Sequence, residues 1–201
     1  MRTKQPHRLY HESGLAARVP DTLPAMPRLI VLVGPPGCGK TTVCSRLADA
    51  ARAAGWRVAG ILSPGTPGDP SGRRARLVVD LATGAARELG HRVSVEGALH
   101  WALDEEALAW GAGAARAGAD GADLLIVDEL GRLELDEGRG WASVVDLLCG
   151  GTWRLAVAAV REEHVDALRA RLGASGSRLE IVRVDERGRD ALPRRLIEDA
   201  R

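Results

Sequence analysis

The sequence predicts an α/β fold with a mostly parallel sheet, an added antiparallel hairpin and helices on the faces of the sheet. Short apolar runs alternate with segments of helical periodicity along most of the chain, which is typical of parallel sheets with right-handed crossovers. The runs LIVLV, LLIV and LAVAAV are apolar without interruption, as in strands buried on both faces. The 201 residues are enough for one α/β domain with a buried core.

The strands are predicted by apolar runs that lie between loop signals. LIVLV, the first run, lies between Pro27 and Gly34, and the run ending in GIL predicts the second strand. The turn LATG joins two strand-like segments into an antiparallel hairpin. The runs LLIV, LAVAAV and LEIVRV predict the remaining strands. The predicted strands cover residues 28–33, 57–62, 76–80, 86–89, 124–127, 155–160 and 179–184.

The helices are predicted by apolar residues that recur every three or four positions. In the first helix Val43, Leu47 and Ala51 share one face, and Gly55 ends it. Asp104 is suited to cap the second helix, which carries two acids in its first turn. The Pro-, Gly- and Arg-rich segment 63–74 predicts a loop. The predicted helices cover residues 40–54, 105–119, 141–148, 162–172 and 190–200.

Composition predicts the domain organisation and limits the classes of partner. Residues 1–27 lack the apolar core of a signal peptide and are predicted to be a flexible arm ahead of one domain over 28–201. The formal net charge of +1 argues against a dedicated nucleic-acid surface. No window approaches the ~18 apolar residues of a membrane span. The three cysteines have no metal-ligand spacing, so we expect reduced thiols in a cytoplasmic protein.

Residues 34–42, GPPGCGKTT, contain the pattern G-x-x-x-x-G-K-[ST] between a predicted strand and a predicted helix. In such a loop glycines let backbone N–H groups surround phosphate oxygens, and the helix N-terminus favours the same anion. Lys40, which we also predict to be catalytic, reaches the β- and γ-phosphates with a compact charge that the wider Arg guanidinium does not reproduce. Thr41 supplies a hydroxyl to Mg²⁺. The predicted nucleotide-binding residues are Gly34, Pro35, Pro36, Gly37, Cys38, Gly39, Lys40, Thr41 and Thr42.

The run LLIV is followed by Asp128 and Glu129, at the sheet edge where a ligand of such folds is expected. An Asp at this point holds Mg²⁺, usually through water, so the predicted metal residues are Thr41 and Asp128. Glu129 is predicted to face the γ-phosphate and to polarise a water for in-line attack. This second acid favours hydrolysis over transfer to an acceptor, since the sequence indicates no acceptor pocket.

The stretches GPPGCGKTT and VDELGRLEL together resemble the motifs of the small nucleoside-triphosphatase family of P-loop proteins. That family pairs G-x-P-G-x-G-K-T-T with D-E-[IL]-G-x-[ML]-E-[LM]. GWRVAGILSP and LVVDLATGAARELG look like its second strand and hairpin, so the resemblance covers most of 28–201. The sequence departs from the family pattern in its N-terminal arm, in the Pro-rich segment 65–74 and at Arg132, where Pro or Lys is expected. We expect Arg132 to face water rather than the site.

The resemblance implies a three-layer P-loop NTPase fold with a RecA-like sheet. It also implies Mg²⁺-dependent hydrolysis of nucleoside triphosphates to diphosphates and phosphate, with loose base selectivity. The chain contains no N/T-K-x-D motif for reading guanine, which agrees with loose selectivity.

The remaining candidate residues each have two interpretations. Arg161 follows LAVAAV, so it is either a catalytic group that stabilises charge on the γ-phosphate or a surface arginine at a strand–helix turn. Glu134 either orients its loop or binds a water near the metal. Trp101, Trp110 and Trp141 are candidates for stacking on a base, although the apolar helical face around Trp141 favours core packing.

Two other functions remain open from the sequence. The first is a nucleotide-dependent switch or accessory module that acts with a protein partner through the arm and the segment 65–74. The second is a small-molecule kinase, which labelled phosphate on an acceptor would reveal. Nucleoside triphosphates are the expected small-molecule partners in each case.

Overall fold

The structure, a computed structural model, describes residues 27–68, 74–150, 153–173 and 178–200. The predicted arm therefore lies outside the described residues apart from Pro27. The strands are β1 Arg28–Val33, β2 Val58–Leu62, β3 Ala75–Asp80, β4 Ala86–Val95, β5 Ala98–Leu103, β6 Leu124–Leu130, β7 Leu155–Val160 and β8 Arg178–Arg183. The helices are α1 Lys40–Ala53, α2 Glu105–Ala119, α3 Arg132–Leu135, α4 Ala142–Val145, α5 Val165–Leu172 and α6 Leu192–Glu198, with 3₁₀ turns over Asp146–Leu148 and Glu162–His164.

The strands form a single eight-stranded sheet in the order β5-β4-β3-β2-β6-β7-β1-β8. The five strands from β2 to β8 in this order pair in parallel, and β3, β4 and β5 add three antiparallel pairings at one side. In the parallel part Val33 lies beside Val160, and Asp128 lies beside Ala159. The end of β1 and the end of β6 therefore face the same edge of the sheet, which is where the sequence predicts the site.

Helices cover both faces of the sheet, so the molecule has the three layers that the sequence predicts. On one face α1 and α6 bury Val43, Leu47 and Leu196 against the sheet. On the opposite face α2, α4 and α5 bury residues such as Leu108 and Val144. The central parallel strands are buried on both faces because both faces are covered.

Gly60 lets β2 approach β6 closely at the centre of the sheet. Its φ is +105°, in the region that favours glycine. A Cβ at this position would lie 1.9 Å from the carbonyl oxygen of Ile126, which is a severe overlap. The close approach brings the end of β2, with Ser63, beside the end of β6.

The antiparallel addition is confirmed, but it is larger than the predicted hairpin. Strand β4 continues to Val95, and β5 pairs with it after a tight turn at Glu96 and Gly97, both with positive φ. We call β3, β4 and β5 together the meander. The sequence prediction missed β5 because it is an edge strand whose residues are mostly exposed, with Leu99 and Leu103 among them. Such a strand lacks the buried apolar run by which the other strands were recognised.

Several other elements differ from the prediction. Strand β6 continues to Leu130, so that Asp128 and Glu129 lie within the strand rather than after it, and α6 covers only Leu192–Glu198. The segment after β6 forms the short helix α3, which the sequence prediction missed because four residues cannot show a helical period. The predicted helix over 141–148 is divided into α4 and a 3₁₀ turn. The predicted helix over 162–172 begins with a 3₁₀ turn before α5. Among the helices that the structure describes, none is long and apolar enough to cross a membrane.

Candidate active site

The phosphate-binding pattern forms a loop between β1 and α1, at the edge predicted for the site. Pro35, Pro36 and Gly37 are exposed, while Gly34 is buried at the end of β1, and Thr42 is exposed on α1. The loop closes with a hydrogen bond from Cys38 N to Pro35 O of 3.3 Å. It therefore presents an exposed rim to a ligand in front of the helix N-terminus.

Gly39 is the last loop residue before α1 and has a φ of +103°. A Cβ here would lie 3.1 Å from Cδ of Arg189, a residue from the segment between β8 and α6. The carbonyl of Gly39 accepts the first helical bond, from Val43 N at 2.9 Å. Glycine is suited to this position for two reasons: the backbone has a positive φ, and the segment that contains Arg189 packs closely against it.

Lys40 is the first residue of α1, and its side chain is held inside the loop. Its exposure is 8%. Its Nζ donates to Gly34 O at 2.6 Å and to Pro35 O at 3.2 Å, and it lies 3.9 Å from Sγ of Cys38. The ammonium group is therefore fixed on the loop, beside the N–H groups that would surround a phosphate.

Thr41 and Asp128 join the phosphate-binding loop to β6. Thr41 Oγ1 donates to Asp128 Oδ1 at 3.2 Å, and Ser63 N donates to Oδ2 at 3.1 Å. Burial raises the pKa of Asp128 to about 6, although these two hydrogen bonds, Arg76 and Lys40 act in the opposite direction. The structure thus brings the two predicted metal residues together in a buried, polar contact.

The oxygens of Thr41 and Asp128 suit Mg²⁺, which prefers hard oxygen ligands and keeps several waters or phosphate oxygens. In the described part of the chain no group of three or more His, Cys, Asp or Glu residues could hold a metal alone.

Glu129 forms an ion pair with Arg76 of β3. Both residues lie at irregularities of the sheet: the pairing of β6 with β7 shifts register between Asp128 and Leu130, and that of β3 with β4 shifts at Arg76. Such shifts redirect side chains locally. The Arg76 guanidinium also lies 5.1 Å from the ring centroid of Trp101, and burial lowers the pKa of Arg76. The sequence analysis missed Arg76, because nothing in a strand pattern indicates which residue lies across the sheet.

Arg161 directly follows β7, as the sequence predicts. Its side chain is 44% exposed, and its nearest acid is Glu163, at 3.9 Å. It lines a cavity of about 240 Å³ together with Glu129 and Arg76. The structure therefore places Arg161 in the same cavity as the predicted catalytic acid, with only a long contact to Glu163.

Glu134 orients the loop that follows β6. Its Oε2 accepts from Gly131 N at 3.0 Å, and its Oε1 accepts from Trp141 N at 3.5 Å. Burial raises the pKa of Glu134, and these peptide hydrogen bonds counteract the rise. Of the two roles considered for Glu134, the geometry supports the orientation of the loop. Arg132 is 77% exposed and pairs with Glu137 at 3.1 Å. It is largely in water, as expected, but it also lines the cavity beside Glu129.

The three tryptophans considered for stacking on a base divide into one core residue and two residues on the meander side. Trp141 is buried and donates from Nε1 to Leu108 O at 3.1 Å, which supports core packing. Trp101 lies under Arg76, and Trp110 lies 4.8 Å from Arg87. These two rings are therefore engaged with guanidinium groups from the meander.

Known proteins share the sequence pattern and the fold described above. The pattern that defines the NTPase family matches residues 29–197. Nucleoside-triphosphatase THEP1 of Methanothermobacter thermautotrophicus is 29% identical over 175 residues, which are 84% of this chain and 94% of that protein. The crystal structure of THEP1 from the hyperthermophile Aquifex aeolicus has a TM-score of 0.60 over 86% of this chain and 98% of its own, and its 15% identity limits this likeness to the fold. Because the family pattern spans most of the chain, this protein belongs to the NTPase family and is a nucleoside-triphosphatase.

Proposed function

We propose that the protein hydrolyses nucleoside triphosphates to diphosphates and phosphate, depends on Mg²⁺ and has loose base selectivity. The observation that carries the proposal is the hydrogen bond of 3.2 Å from Thr41 to Asp128. This hydrogen bond joins the phosphate-binding loop to β6, the strand in which Glu129 follows Asp128. Three adjacent groups would thus act at one edge of the sheet. The loop would hold the phosphates, Thr41 and Asp128 would hold the metal, and Glu129 would hold the attacking water.

In this proposal the loop from Gly34 to Thr42 and the Lys40 ammonium neutralise the β- and γ-phosphates. Thr41 and Asp128 would hold Mg²⁺, which would neutralise part of the negative charge of the triphosphate when bound. The loop N–H groups are fixed by the fold, so they need no rearrangement as negative charge shifts towards the leaving diphosphate. The rate enhancement would come mainly from this fixed electrostatic environment.

Glu129 would orient the attacking water and accept its proton. The ion pair with Arg76 holds the Glu129 carboxylate at the tip of β6, so Arg76 acts as a positioning residue. Arg161 lines the same cavity, and we assign it to the charge that develops on the γ-phosphate. Loose base selectivity is supported by the absence of a guanine-reading motif from the sequence.

We also propose a catalytic domain over residues 28–201 that works in the cytoplasm, with 1–27 as an arm. Cys38, Cys44 and Cys149 form no disulfide in the described part of the chain, which supports a reducing compartment. A formal net charge of +1 supports the absence of a nucleic-acid partner.

The test is the substitution Glu129→Gln. We expect it to retain binding of Mg²⁺ with a triphosphate, since the loop is unchanged, and to lower the rate of phosphate release by about 10²–10⁴-fold. Glu198→Gln is the matched control, because Glu198 is also paired with an arginine, Arg194 at 2.9 Å, but lies exposed on α6. Wild-type turnover in Glu129→Gln would exclude Glu129 as the base.

A further inference from the structure

The cavity beside Glu129 has a volume of about 240 Å³, and hydrolysis does not account for it. A water occupies about 30 Å³ in the liquid, so the cavity could hold roughly eight waters where hydrolysis uses one. None of the phosphate-loop residues 34–42 lines the cavity. Ser63, whose N–H donates to Asp128 at 3.1 Å, also lines the cavity, so the cavity borders the site proposed for the triphosphate without being part of the loop.

The wall of this cavity is largely apolar and comes from the face of the sheet opposite α1. Its apolar residues belong to the meander, α2, α3 and the segment before α4, and they are Leu89, Trp101, Leu103, Leu108, Leu133 and Trp141. An apolar and partly aromatic wall with a few convergent polar groups is the usual composition of a small-molecule site. A site for water alone would need no such wall.

The charged groups of the cavity favour an anion. Three guanidinium groups line it, those of Arg76, Arg132 and Arg161, against the carboxylates of Glu129 and Glu134. Glu134 is committed to the peptide N–H groups of Gly131 and Trp141. Arg76 pairs with Glu129, and Arg132 pairs with Glu137. Arg161, whose contact with Glu163 is 3.9 Å, is therefore the guanidinium group left to bind an anionic ligand. Guanidinium groups suit a carboxylate because they bind it in a planar, bidentate arrangement.

We propose that this cavity binds a small phosphoryl acceptor that carries a hydroxyl, an aromatic body and a carboxylate. The inference rests on the proposed triphosphate site and adds a second reaction to it, transfer of the γ-phosphoryl group. A base that accepts a proton from water accepts it from an alcohol by the same chemistry. The cavity holds the alcohol next to that base, which is the feature that the sequence did not indicate.

The transfer step balances without a further reactant. The hydroxyl oxygen of the acceptor forms a bond to the γ-phosphorus while the bond from this phosphorus to the β–γ bridging oxygen breaks. The nucleoside diphosphate leaves, and the hydroxyl proton passes to the Glu129 carboxylate. The products are a phosphate monoester and a nucleoside diphosphate.

The experiment follows ATP labelled at the γ-phosphate in the presence of 3-phenyllactate, with 3-phenylpropionate, which lacks the hydroxyl, as the control compound. We expect a labelled phosphate ester with 3-phenyllactate only. We also expect 3-phenylpropionate to compete with its formation. Label that appears only as inorganic phosphate, with no effect of either compound on phosphate release, would overturn the acceptor site. Phosphate release without any acceptor measures the proposed hydrolysis separately, so failure of one proposal is distinguishable from failure of the other.

A pair of variants on β5 tests whether transfer uses this cavity. Leu103 lines it, whereas Leu99, on the same strand, does not. We expect Leu103→Trp to lower the ratio of labelled ester to free phosphate by roughly tenfold or more, the scale on which altered pocket shape discriminates between substrates. Leu99→Trp should leave that ratio unchanged. Equal ratios in both variants would overturn this location for the acceptor site. If Leu103→Trp does not fold, the competition by 3-phenylpropionate in the wild type decides whether an acceptor site exists.

Discussion

The phosphate-loop side of the site and its meander side are constructed differently. On the first side, contiguous residues from 34 to 42 follow a strand buried on both faces and open a long helix. On the second side, Arg76 and Trp101 come from different strands and meet Glu129 only in the folded sheet. The chemistry of the first side is therefore local in the sequence, while that of the second depends on the pairing of the meander.

The largest effect is expected on the phosphate-loop side, from Lys40. We expect Lys40→Ala to abolish detectable triphosphate binding and to lower turnover by about 10²–10³-fold, the loss typical of one preorganised donor. Lys40→Arg should not restore activity, because the guanidinium does not fit where Nζ lies 2.6 Å from Gly34 O. Titration with Mg²⁺ and ATP and an assay of phosphate release measure both quantities.

Arg194→Ala is the control for these variants, since Arg194 is an exposed cation on α6. We expect it to bind and turn over triphosphates like the wild type. Full activity in Lys40→Arg would mean that charge alone, and not the shape of the side chain, explains the lysine at this position.

This difference between the two sides explains how much the sequence could predict. The buried runs and the loop pattern predicted the parallel strands and the meeting of Lys40, Thr41 and Asp128 at one edge, and the family resemblance implied the three layers. Strand β5 was not predicted, because its residues are mostly exposed and include no uninterrupted apolar run like those of the buried strands. Arg76 was not predicted as part of the site, because its role follows from two register shifts and a contact across 53 residues.

A smaller effect is expected on the meander side, from Arg76. We expect Arg76→Ala to lower kcat on the order of 10²-fold, as displacement of a catalytic group does, while KM changes little because the phosphate-binding loop is untouched. Arg76→Lys should restore part of kcat, since an ammonium also attracts the Glu129 carboxylate. Steady-state phosphate release gives both constants.

Arg87→Ala is the matched control for the Arg76 variants. Arg87 also belongs to the meander and also lies over an indole ring, that of Trp110. We expect its kinetics to match the wild type. An equal fall of kcat in both variants would show that loss of meander stability, and not the position of Glu129, causes the effect.

The smallest effect is expected on the free energy of unfolding, from the substitution of Glu134. This residue links the tip of β6 to the helical side of the cavity. Burial raises its pKa in the folded state. The raised pKa of Glu134 therefore adds to the free energy of unfolding at low pH. This contribution is fully present below the pKa of Glu134 in the unfolded state and is lost as pH rises through its pKa in the folded state. Glu134→Gln does not titrate and weakens one peptide hydrogen bond, which costs about 1 kcal/mol.

We accordingly expect the stability cost of Glu134→Gln to shrink as pH rises from about 4 to about 8. Urea unfolding of the variant and the wild type across this range measures it. Glu106→Gln, an exposed substitution in the first turn of α2, should show a much weaker trend. A cost that instead grows with pH would mean that the hydrogen bonds from Gly131 and Trp141 outweigh burial, and that the β6 tip is held by a favourably ionised carboxylate.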